Sequence, residues 1–307
     1  MKTTDATFED LHSSVLAVPP LARNDDYSLN LEANRKLVRY LEGGRVRTIL
    51  YGGNANFYNI APSEYASTLE NLASIAGEDT WVIPSAGPSY GMFMDQADVL
   101  RDFDFPTAMV LPMTTASTSD GVEEGLRRFA RRYGRRIIVY LKTEGYLSAA
   151  AVKRLVDDGL VCAIKYAVVR ATPERDEYLS ELCELIDRRL IVSGIGERPA
   201  VVHLREFGLR AFTSGSVCVA PRQSMDLLRA LGEGDYTRAE TIRERFLPLE
   251  DLRDGINPIR VIHDAVTLAG IADMGPILPL ASNLLGEERE LVGAAARRLA
   301  DGEKATA

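Results

Sequence analysis

The segment Gly159-Leu-Val-Cys-Ala-Ile-Lys-Tyr-Ala-Val-Val-Arg170 is apolar along most of its length and contains Lys165. A run of this kind predicts a strand that is buried on both faces, as in a parallel sheet. Because burying an ammonium group is costly, a lysine here is expected to lose its proton and become a nucleophilic amine, the starting point of Schiff-base catalysis. The alternative interpretation is a strand-end lysine whose ammonium group extends into solvent.

Similar apolar runs recur along the chain at intervals of roughly 20–35 residues, and helix-like stretches lie between them. Eight strands that alternate with helices favour a closed (β/α)8 barrel. The alternative is an open doubly wound sheet, which normally needs only about six strands. The predicted strands are residues 14–18, 47–51, 80–84, 107–111, 136–140, 160–164, 190–193 and 211–214.

The intervening stretches carry apolar residues at the helical spacing i, i+3, i+4, and Asp120 and Ser148 are predicted N-caps. Helices are predicted at residues 29–41, 63–75, 120–133 and 148–157, and after the last strand at residues 224–231, 236–249, 257–269 and 287–300. We therefore predict a barrel over residues 1–220 and a C-terminal helical extension, residues 221–307, packed on it. Residues 302–307 are expected to be disordered.

The composition indicates a globular chain without a polyanionic partner. The 307 residues are 46% hydrophobic and 26% charged, with a net charge of −8, so a nucleic-acid partner is not expected. The three cysteines form no CxxC pair, and their odd number argues against a disulfide framework. No apolar leader or membrane-length apolar stretch is present, so the expectation is a soluble cytoplasmic protein with no membrane association.

Candidate catalytic residues lie where predicted strands end, because the active sites of such barrels lie at the C-terminal ends of their strands. Lys165 ends the sixth predicted strand, and Tyr140 ends the fifth, which is its neighbour in a sequentially ordered barrel. A tyrosine hydroxyl near a Schiff-base lysine is a credible proton relay. The alternative for Tyr140 is an aromatic side chain that only packs at a strand end.

Three glycine-containing loops are candidate binding segments. Gly52 and Gly53, in Tyr51-Gly-Gly-Asn-Ala-Asn-Phe-Tyr-Asn59, let backbone amides approach an anion such as a carboxylate, although a plain turn fits equally well. Gly194 and Thr213 belong to loops after the seventh and eighth predicted strands, where many barrels bind phosphate. Close packing explains those glycines just as well.

Other chemistries lack their residues in this sequence. His12, His203 and His263 form no HExxH motif, so no zinc ligand set is predicted. No Walker A motif, no Gly-x-Gly-x-x-Gly after the first strand and no Gly-x-Ser-x-Gly elbow is present. No acidic residue immediately ends a predicted strand, which disfavours glycoside hydrolysis. We predict that the protein needs no metal and no organic cofactor.

These residues resemble those of the dihydrodipicolinate synthase / N-acetylneuraminate lyase family of Schiff-base barrels, over nearly the whole chain. The spacing of Tyr140 and Lys165 is the specific part of the resemblance. Supporting segments are Pro19-Pro20, the glycine-rich residues 52–56, Ser193-Gly194 and Val219-Ala220-Pro221. The resemblance implies a 2-keto acid substrate such as pyruvate, a Schiff base on Lys165 and a homotetramer.

The chain departs from the family's pattern where the substrate is bound. Gly53 and Asn54 stand where the family has a threonine pair that binds the keto-acid carboxylate, and Pro112-Met113-Thr114 stands where many members have Pro-Tyr-Tyr. Lys142 follows Tyr140, and the arginine that serves aspartate semialdehyde in the synthases has no counterpart. The Gly52-Gly53 start is similar to that of the family's sugar-acid dehydratases.

We therefore predict a Schiff-base lyase that dehydrates a 3-deoxy-2-keto sugar acid, with Lys165 and Tyr140 as catalytic residues. The predicted substrate-binding residues are Gly52, Gly53, Asn54, Lys142, Gly194 and Thr213. The alternatives are a pyruvate-dependent aldolase of the same family, a barrel that binds a keto acid without catalysis, and a phosphate-binding isomerase that uses the loops after strands seven and eight.

Overall fold

Parallel strands form a nearly closed barrel in this computed structural model, which describes residues 1–304. The spatial order is β3-β2-β1-β9-β8-β7-β6-β5-β4, so each strand lies beside its sequence neighbour and β1 lies beside β9. The strands are β1 Leu16–Ala17, β2 Thr48–Leu50, β3 Trp81–Ile83, β4 Ser85–Ala86, β5 Met109–Val110, β6 Ile137–Leu141, β7 Val161–Tyr166, β8 Ile191–Ser193 and β9 Ala211–Ser214.

The third barrel strand is divided by Pro84 into β3 and β4. β3 pairs with β2, and β4 pairs with β5, so the chain itself closes the ring. Proline has no N–H to donate, but the carbonyl of Pro84 accepts a hydrogen bond from Met109 N at 2.9 Å. Counting β3 and β4 as one strand gives eight, which confirms the predicted (β/α)8 barrel.

The strands are apolar because the barrel buries both of their faces. Every strand residue is buried except Tyr140, which is partly exposed. The predicted runs contain the observed strands except in three places: β4 lies just beyond the run that ends at residue 84, β6 continues to Leu141 and β7 continues to Tyr166. The predicted end of β7 at residue 164 was therefore wrong. Lys165 lies inside the strand, where its backbone is fixed by pairing on both sides.

Eight helices follow the barrel strands, as the alternating pattern predicted. Ser148 is the N-cap of α6, and its hydroxyl accepts from Ala151 N, as expected. Asp120 is not a cap: Thr118 caps α5, and Asp120 lies in the first turn, where a carboxylate suits the helix dipole. These helices are α2 Leu31–Gly43, α3 Tyr65–Ile75, α4 Tyr90–Leu100, α5 Ser119–Tyr133, α6 Ala149–Asp157, α7 Glu177–Leu185, α8 Glu197–Glu206 and α9 Pro221–Glu233.

Four more helices lie outside this repeat: α1 Phe8–His12, α10 Tyr236–Gly255, α11 Pro258–Leu268 and α12 Gly286–Lys304. α9 follows β9 as the other barrel helices follow their strands, so the predicted division at residue 220 stays a prediction. The predicted end of α10 at residue 249 was wrong by more than a turn. α12 includes residues 302–304, which were expected to be disordered; residues 305–307 of that prediction lie outside the described part.

Two expectations from composition concern features that the structure describes. Cys162, Cys183 and Cys218 are all free thiols and all buried, which agrees with the absence of a disulfide framework. Within residues 1–304, no helix combines the length and the apolar character that crossing a membrane requires.

Candidate active site

Tyr140 and Lys165 lie side by side on neighbouring strands. They are direct partners in the parallel register of β6 and β7, near the C-terminal ends of both strands. The Nζ atom of Lys165 lies 4.5 Å from the centroid of the Tyr140 ring. Sequential strand order in the barrel therefore creates the predicted pair, although 24 residues separate the two in sequence.

Lys165 is buried without a counter-ion. Its exposed fraction is 5%, and no acceptor in residues 1–304 lies within hydrogen-bonding distance of Nζ. Burial lowers the pKa of Lys165 to about 7, with further lowering from the positive charges of Lys142 and Arg253. Each cause disfavours the ammonium form, so a large share of the amine is neutral and nucleophilic at neutral pH.

Tyr140 presents a hydroxyl that stays protonated. Burial raises the pKa of Tyr140 to about 12, and the charge of Arg253 opposes the shift only in part. Its hydroxyl has no hydrogen-bond partner among residues 1–304. A protonated phenol beside an uncharged amine can donate a proton to a departing oxygen and recover it afterwards.

A cavity of about 400 Å³ opens beside this pair at the C-terminal ends of the strands. It is lined by both catalytic candidates and by five of the six predicted binding residues: Gly53, Asn54, Lys142, Gly194 and Thr213. Gly52 does not line it. A Cβ at Gly52 would lie 2.8 Å from Met109 Cε, so this glycine permits close packing inside the barrel, and its role in binding stays a prediction.

The loop after β2 offers unpaired backbone donors. Within the described chain, the N–H groups of Gly53, Asn54 and Ala55 have no acceptor. The side chain of Asn54 donates to the carbonyl of Val18 at 2.8 Å, which fixes this loop against the end of β1. Gly53 and Asn54 also line the cavity, and successive unpaired amides can bind an anion, so the loop can hold a carboxylate without a hydroxyl side chain.

Gly194 gives the stem of Lys165 its space. A Cβ at this position would lie 2.7 Å from the carbonyl oxygen of Tyr166 and 2.9 Å from Lys165 Cγ. Any larger residue would push the lysine stem or its strand aside. The glycine signal after β8 therefore reflects close packing, and that packing orients Lys165.

Lys142 and Tyr58 form part of the cavity wall. The Nζ atom of Lys142 lies 5.9 Å from the centroid of the Tyr58 ring, and Lys142 is otherwise exposed. No carboxylate within residues 1–304 pairs with Lys142. The cavity therefore contains an ammonium group that is available to a negatively charged or oxygen-rich ligand.

The sequence analysis missed the contribution of the C-terminal helices. Arg253 and Asp254, at the end of α10, line the cavity together with Asn257, the N-cap of α11. Arg253 has an exposed fraction of 7%, and its Nε and Nη2 atoms donate to Asp254 Oδ1 at 3.0 and 2.9 Å. The signal in the sequence was weak, because charged residues near a helix end usually face solvent.

A buried pair of carboxyl groups lies behind Arg253. Glu197 accepts from the hydroxyls of Ser214 at 2.8 Å and Ser224 at 2.5 Å, and Glu250 Oε1 accepts from Glu197 N at 3.0 Å. Burial raises the pKa of Glu250, as does the neighbouring charge of Glu197. The pair therefore retains a proton at a pH where ordinary glutamates have lost theirs.

Known proteins are similar to this chain over most of its length. The model of the dihydrodipicolinate synthetase family matches residues 13–295. A protein of Rhizobium meliloti named "Probable 5-dehydro-4-deoxyglucarate dehydratase" is 25% identical over 286 residues, covering 91% of this chain and 93% of that protein. A protein of Pseudomonas fluorescens with the same name is 22% identical over 249 residues, covering 79% and 80%.

Solved structures share the architecture. Dihydrodipicolinate synthase from Bacillus clausii superimposes with a TM-score of 0.82 at 20% identity, covering 95% of this chain and 99% of that one. The sialic acid aldolase of Ruminococcus gnavus gives a TM-score of 0.81 at 13% identity with the same coverage. At these identities the likeness concerns the fold alone.

Proposed function

This chain belongs to the dihydrodipicolinate synthetase family and is a lyase of that family; from this premise, we propose that Lys165 forms a Schiff base with a 2-keto acid and that the enzyme dehydrates a 3-deoxy-2-keto sugar acid. The observation that carries the proposal is the buried, unpaired amine of Lys165 beside the Tyr140 ring in an open cavity.

The first step is attack of the neutral amine on the C2 carbonyl. The nitrogen lone pair forms the C–N bond, the carbonyl oxygen takes up two protons, and water leaves to give an iminium ion. The amine nitrogen supplies one of these protons. Tyr140, whose hydroxyl is protonated and whose ring lies 4.5 Å from Nζ, supplies the other and becomes a tyrosinate. The iminium withdraws electrons from C3 and acidifies its protons.

The second step loses water from the substrate. The tyrosinate of Tyr140 removes a C3 proton, which restores its hydroxyl, and the electrons form an enamine. The enamine expels the C4 hydroxyl, which takes this proton from Tyr140 as it departs and leaves as water. Hydrolysis of the resulting imine returns the free amine and the product. The net reaction is the loss of one water molecule.

The loop after β2 orients the substrate for both steps. The unpaired amides of Gly53 and Asn54, two residues that line the cavity, bind the C1 carboxylate by preorganised donors, so C2 is held next to Lys165. Lys142 lies in the same cavity and stabilises negative charge as the hydroxyl departs. The phosphate-isomerase alternative is less well supported, because Ser214 at the end of β9 donates to a buried carboxyl group.

Reduction of the imine tests the first half of the proposal. Incubation with pyruvate and borohydride is expected to leave a stable adduct on Lys165, located by peptide mass analysis. An adduct on Lys142 would show that the neighbouring cavity lysine is the nucleophile. If no adduct forms at saturating pyruvate, the Schiff-base mechanism is wrong.

Product analysis tests the second half. With 3-deoxy-2-keto sugar acids, the expected product has lost one water and no pyruvate is released. Stoichiometric pyruvate together with an aldehyde would assign the chain to the aldolases instead. If pyruvate is trapped on Lys165 but none of the keto acids tested is turned over, the protein is a barrel that binds keto acids without catalysis. The predicted homotetramer is a separate proposal, which sedimentation velocity measures.

A further inference from the structure

Arg253 brings a guanidinium group into the wall of the cavity from outside the barrel. It lies near the end of α10 and lines the same cavity as Lys165 and Lys142. Its positive charge reaches both catalytic candidates: it helps to lower the pKa of Lys165 and opposes the rise that burial causes in the pKa of Tyr140. The proposed steps at C2, C3 and C4 make no use of this group.

The hydrogen bonds of Arg253 leave part of the guanidinium available. Nε and Nη2 donate to Asp254 Oδ1, and Nη1 donates to Glu250 Oε1 at 3.2 Å. A guanidinium has five N–H donors, and these bonds use three of them. Two donors, one on each terminal nitrogen, therefore have no acceptor within residues 1–304.

Gly196 allows this arrangement to form. Its φ angle is +107°, and a Cβ there would lie 2.2 Å from Glu250 Oε1 and 2.6 Å from Arg253 Nη1. The loop after β8 and the end of α10 can approach each other only because this residue has no side chain. The guanidinium is thereby held at a fixed place in the cavity wall.

The charges around the cavity favour a ligand with two negative groups. Lys142 and Arg253 are cations, and Asp254 is the only acidic residue that lines the cavity within the described chain. Glu250 does not cancel Arg253 completely, because burial and the neighbouring Glu197, whose N–H donates to Glu250 Oε1, raise the pKa of Glu250. One carboxylate is accounted for by the amides of the loop after β2, which leaves Arg253 for a second.

We infer that Arg253 binds the carboxylate at the far end of the substrate, so that the enzyme selects dicarboxylic over monocarboxylic 3-deoxy-2-keto sugar acids. This inference rests on the proposed function. A planar, permanently charged group with a remaining donor on each terminal nitrogen matches a carboxylate better than it matches a hydroxyl. Glu250 and Glu197 act as positioning residues that hold the guanidinium.

Two six-carbon substrates that differ only at C6 test the inference. One is a 3-deoxy-2-keto acid with a C6 carboxylate, and the other has a C6 hydroxymethyl group. For Arg253→Gln we expect the KM of the dicarboxylate to rise about 10- to 100-fold, as loss of charge-assisted hydrogen bonds implies. The KM of the monocarboxylate should change less than about threefold.

Matched variants keep the test interpretable. Arg243→Gln removes an arginine of the same helix that pairs with Glu240 away from the cavity, and it should leave both KM values unchanged. Arg253→Lys keeps the charge and should retain part of the preference; it also supplies an answer if Arg253→Gln does not fold. Pyruvate has no distal group, so its borohydride trapping on Lys165 should persist in Arg253→Gln.

The outcomes separate the two proposals. Equal KM increases for both substrates would assign Arg253 a structural role only and overturn the inference. So would an unmodified enzyme that does not distinguish the two substrates. Absence of pyruvate trapping in the unmodified enzyme would instead overturn the proposed function and, with it, this inference.

Discussion

Lys165 and Arg253 are two buried basic residues that line one cavity. The surroundings of Lys165 favour its neutral form, whereas those of Arg253 favour its charged form. Lys165 lies on β7 among apolar neighbours, has no acceptor within the described chain, and has a pKa lowered to about 7. Arg253 lies on α10 with Glu250 and Asp254 as partners, and these carboxyl groups raise its pKa. Burial alone does not decide the charge of a group; the presence of a partner does.

The two environments suit two different functions. A cation without a partner releases its proton and becomes a nucleophile, which suits the formation of a covalent bond. A cation with partners keeps its charge and its orientation, which suits the recognition of an anion. The barrel strands supply the first kind of residue in this cavity, and a helix outside the barrel repeat supplies the second.

Removing the amine should have the largest effect. Lys165→Ala is expected to reduce turnover at least about 10⁴-fold, as loss of a nucleophile does, and to abolish pyruvate trapping. Lys165→Arg should be equally inactive, because a guanidinium does not form the imine. Lys153→Ala is the control, since Lys153 is an exposed lysine paired with Asp157. Residual pyruvate trapping in Lys165→Ala would show that another residue is the nucleophile.

The unpaired amine of Lys165 should also make the stability of the protein depend on pH. The pKa of Lys165 is about 7 in the folded protein and 10.5 in the unfolded chain. Between these values the unfolded chain binds more protons, so the free energy of unfolding rises with pH, by roughly 4–5 kcal/mol in total. Lys165→Met lacks this dependence and should be the more stable protein near pH 6, with an advantage that shrinks toward pH 10. Urea unfolding across this range measures this dependence. Parallel curves for the two proteins would show that burial does not lower the pKa of Lys165.

Loss of the hydroxyl at Tyr140 should be smaller. Tyr140→Phe is expected to reduce kcat about 10²–10³-fold, within the range of a general acid–base group. Stability should change little, because the hydroxyl has no hydrogen-bond partner within residues 1–304. Pyruvate trapping should slow but still label Lys165. Near-normal turnover would leave Tyr140 as a packed aromatic residue.

Glu250, in the partnered region, should give the stability a pH dependence of the opposite sign. The pKa of Glu250 is raised above its ordinary 4.5, so above that pH the folded protein binds more protons than the unfolded chain. Stability is then lost as pH rises, by at most about 1.4 kcal/mol per pH unit. Glu250→Gln should lack this loss, and the exposed Glu240→Gln should not alter it. Thermal unfolding between pH 4.5 and 8 compares the three proteins, and a pH dependence that survives in Glu250→Gln would place the shared proton elsewhere.

Much of the barrel and its catalytic pair could be predicted from the sequence. Strands buried on both faces have to be apolar, so the runs around Ile49, Val139 and Ile164 could be identified without knowledge of their neighbours. A lysine inside such a run is conspicuous for the same reason. Sequential strand order then predicts that Tyr140 lies beside Lys165, and the register of β6 and β7 places them as direct partners.

The glycines could be recognised in the sequence, but their roles could not be assigned from it. Gly52, Gly53, Gly194 and Gly196 all follow strands, and their sequence context does not distinguish a packing glycine from a binding one. Only the positions of surrounding atoms show that Gly52 packs inside the barrel, that Gly194 accommodates the Lys165 stem and that Gly53 lines the cavity. Those neighbours come from other strands and helices, which local sequence does not specify.

The sequence by itself determined the barrel, the order of its strands and the lysine that they bury, because each follows from local hydrophobic pattern and chain order. Only the tertiary structure decided the rest of the cavity. The predicted helix ended at residue 249, whereas α10 continues through Glu250 and Arg253 to Gly255. Those charged residues resemble a solvated helix end in sequence. Their burial is stable because Glu197, Asp254 and Gly196 supply the partners and the space, and such contacts exist only once the chain has folded.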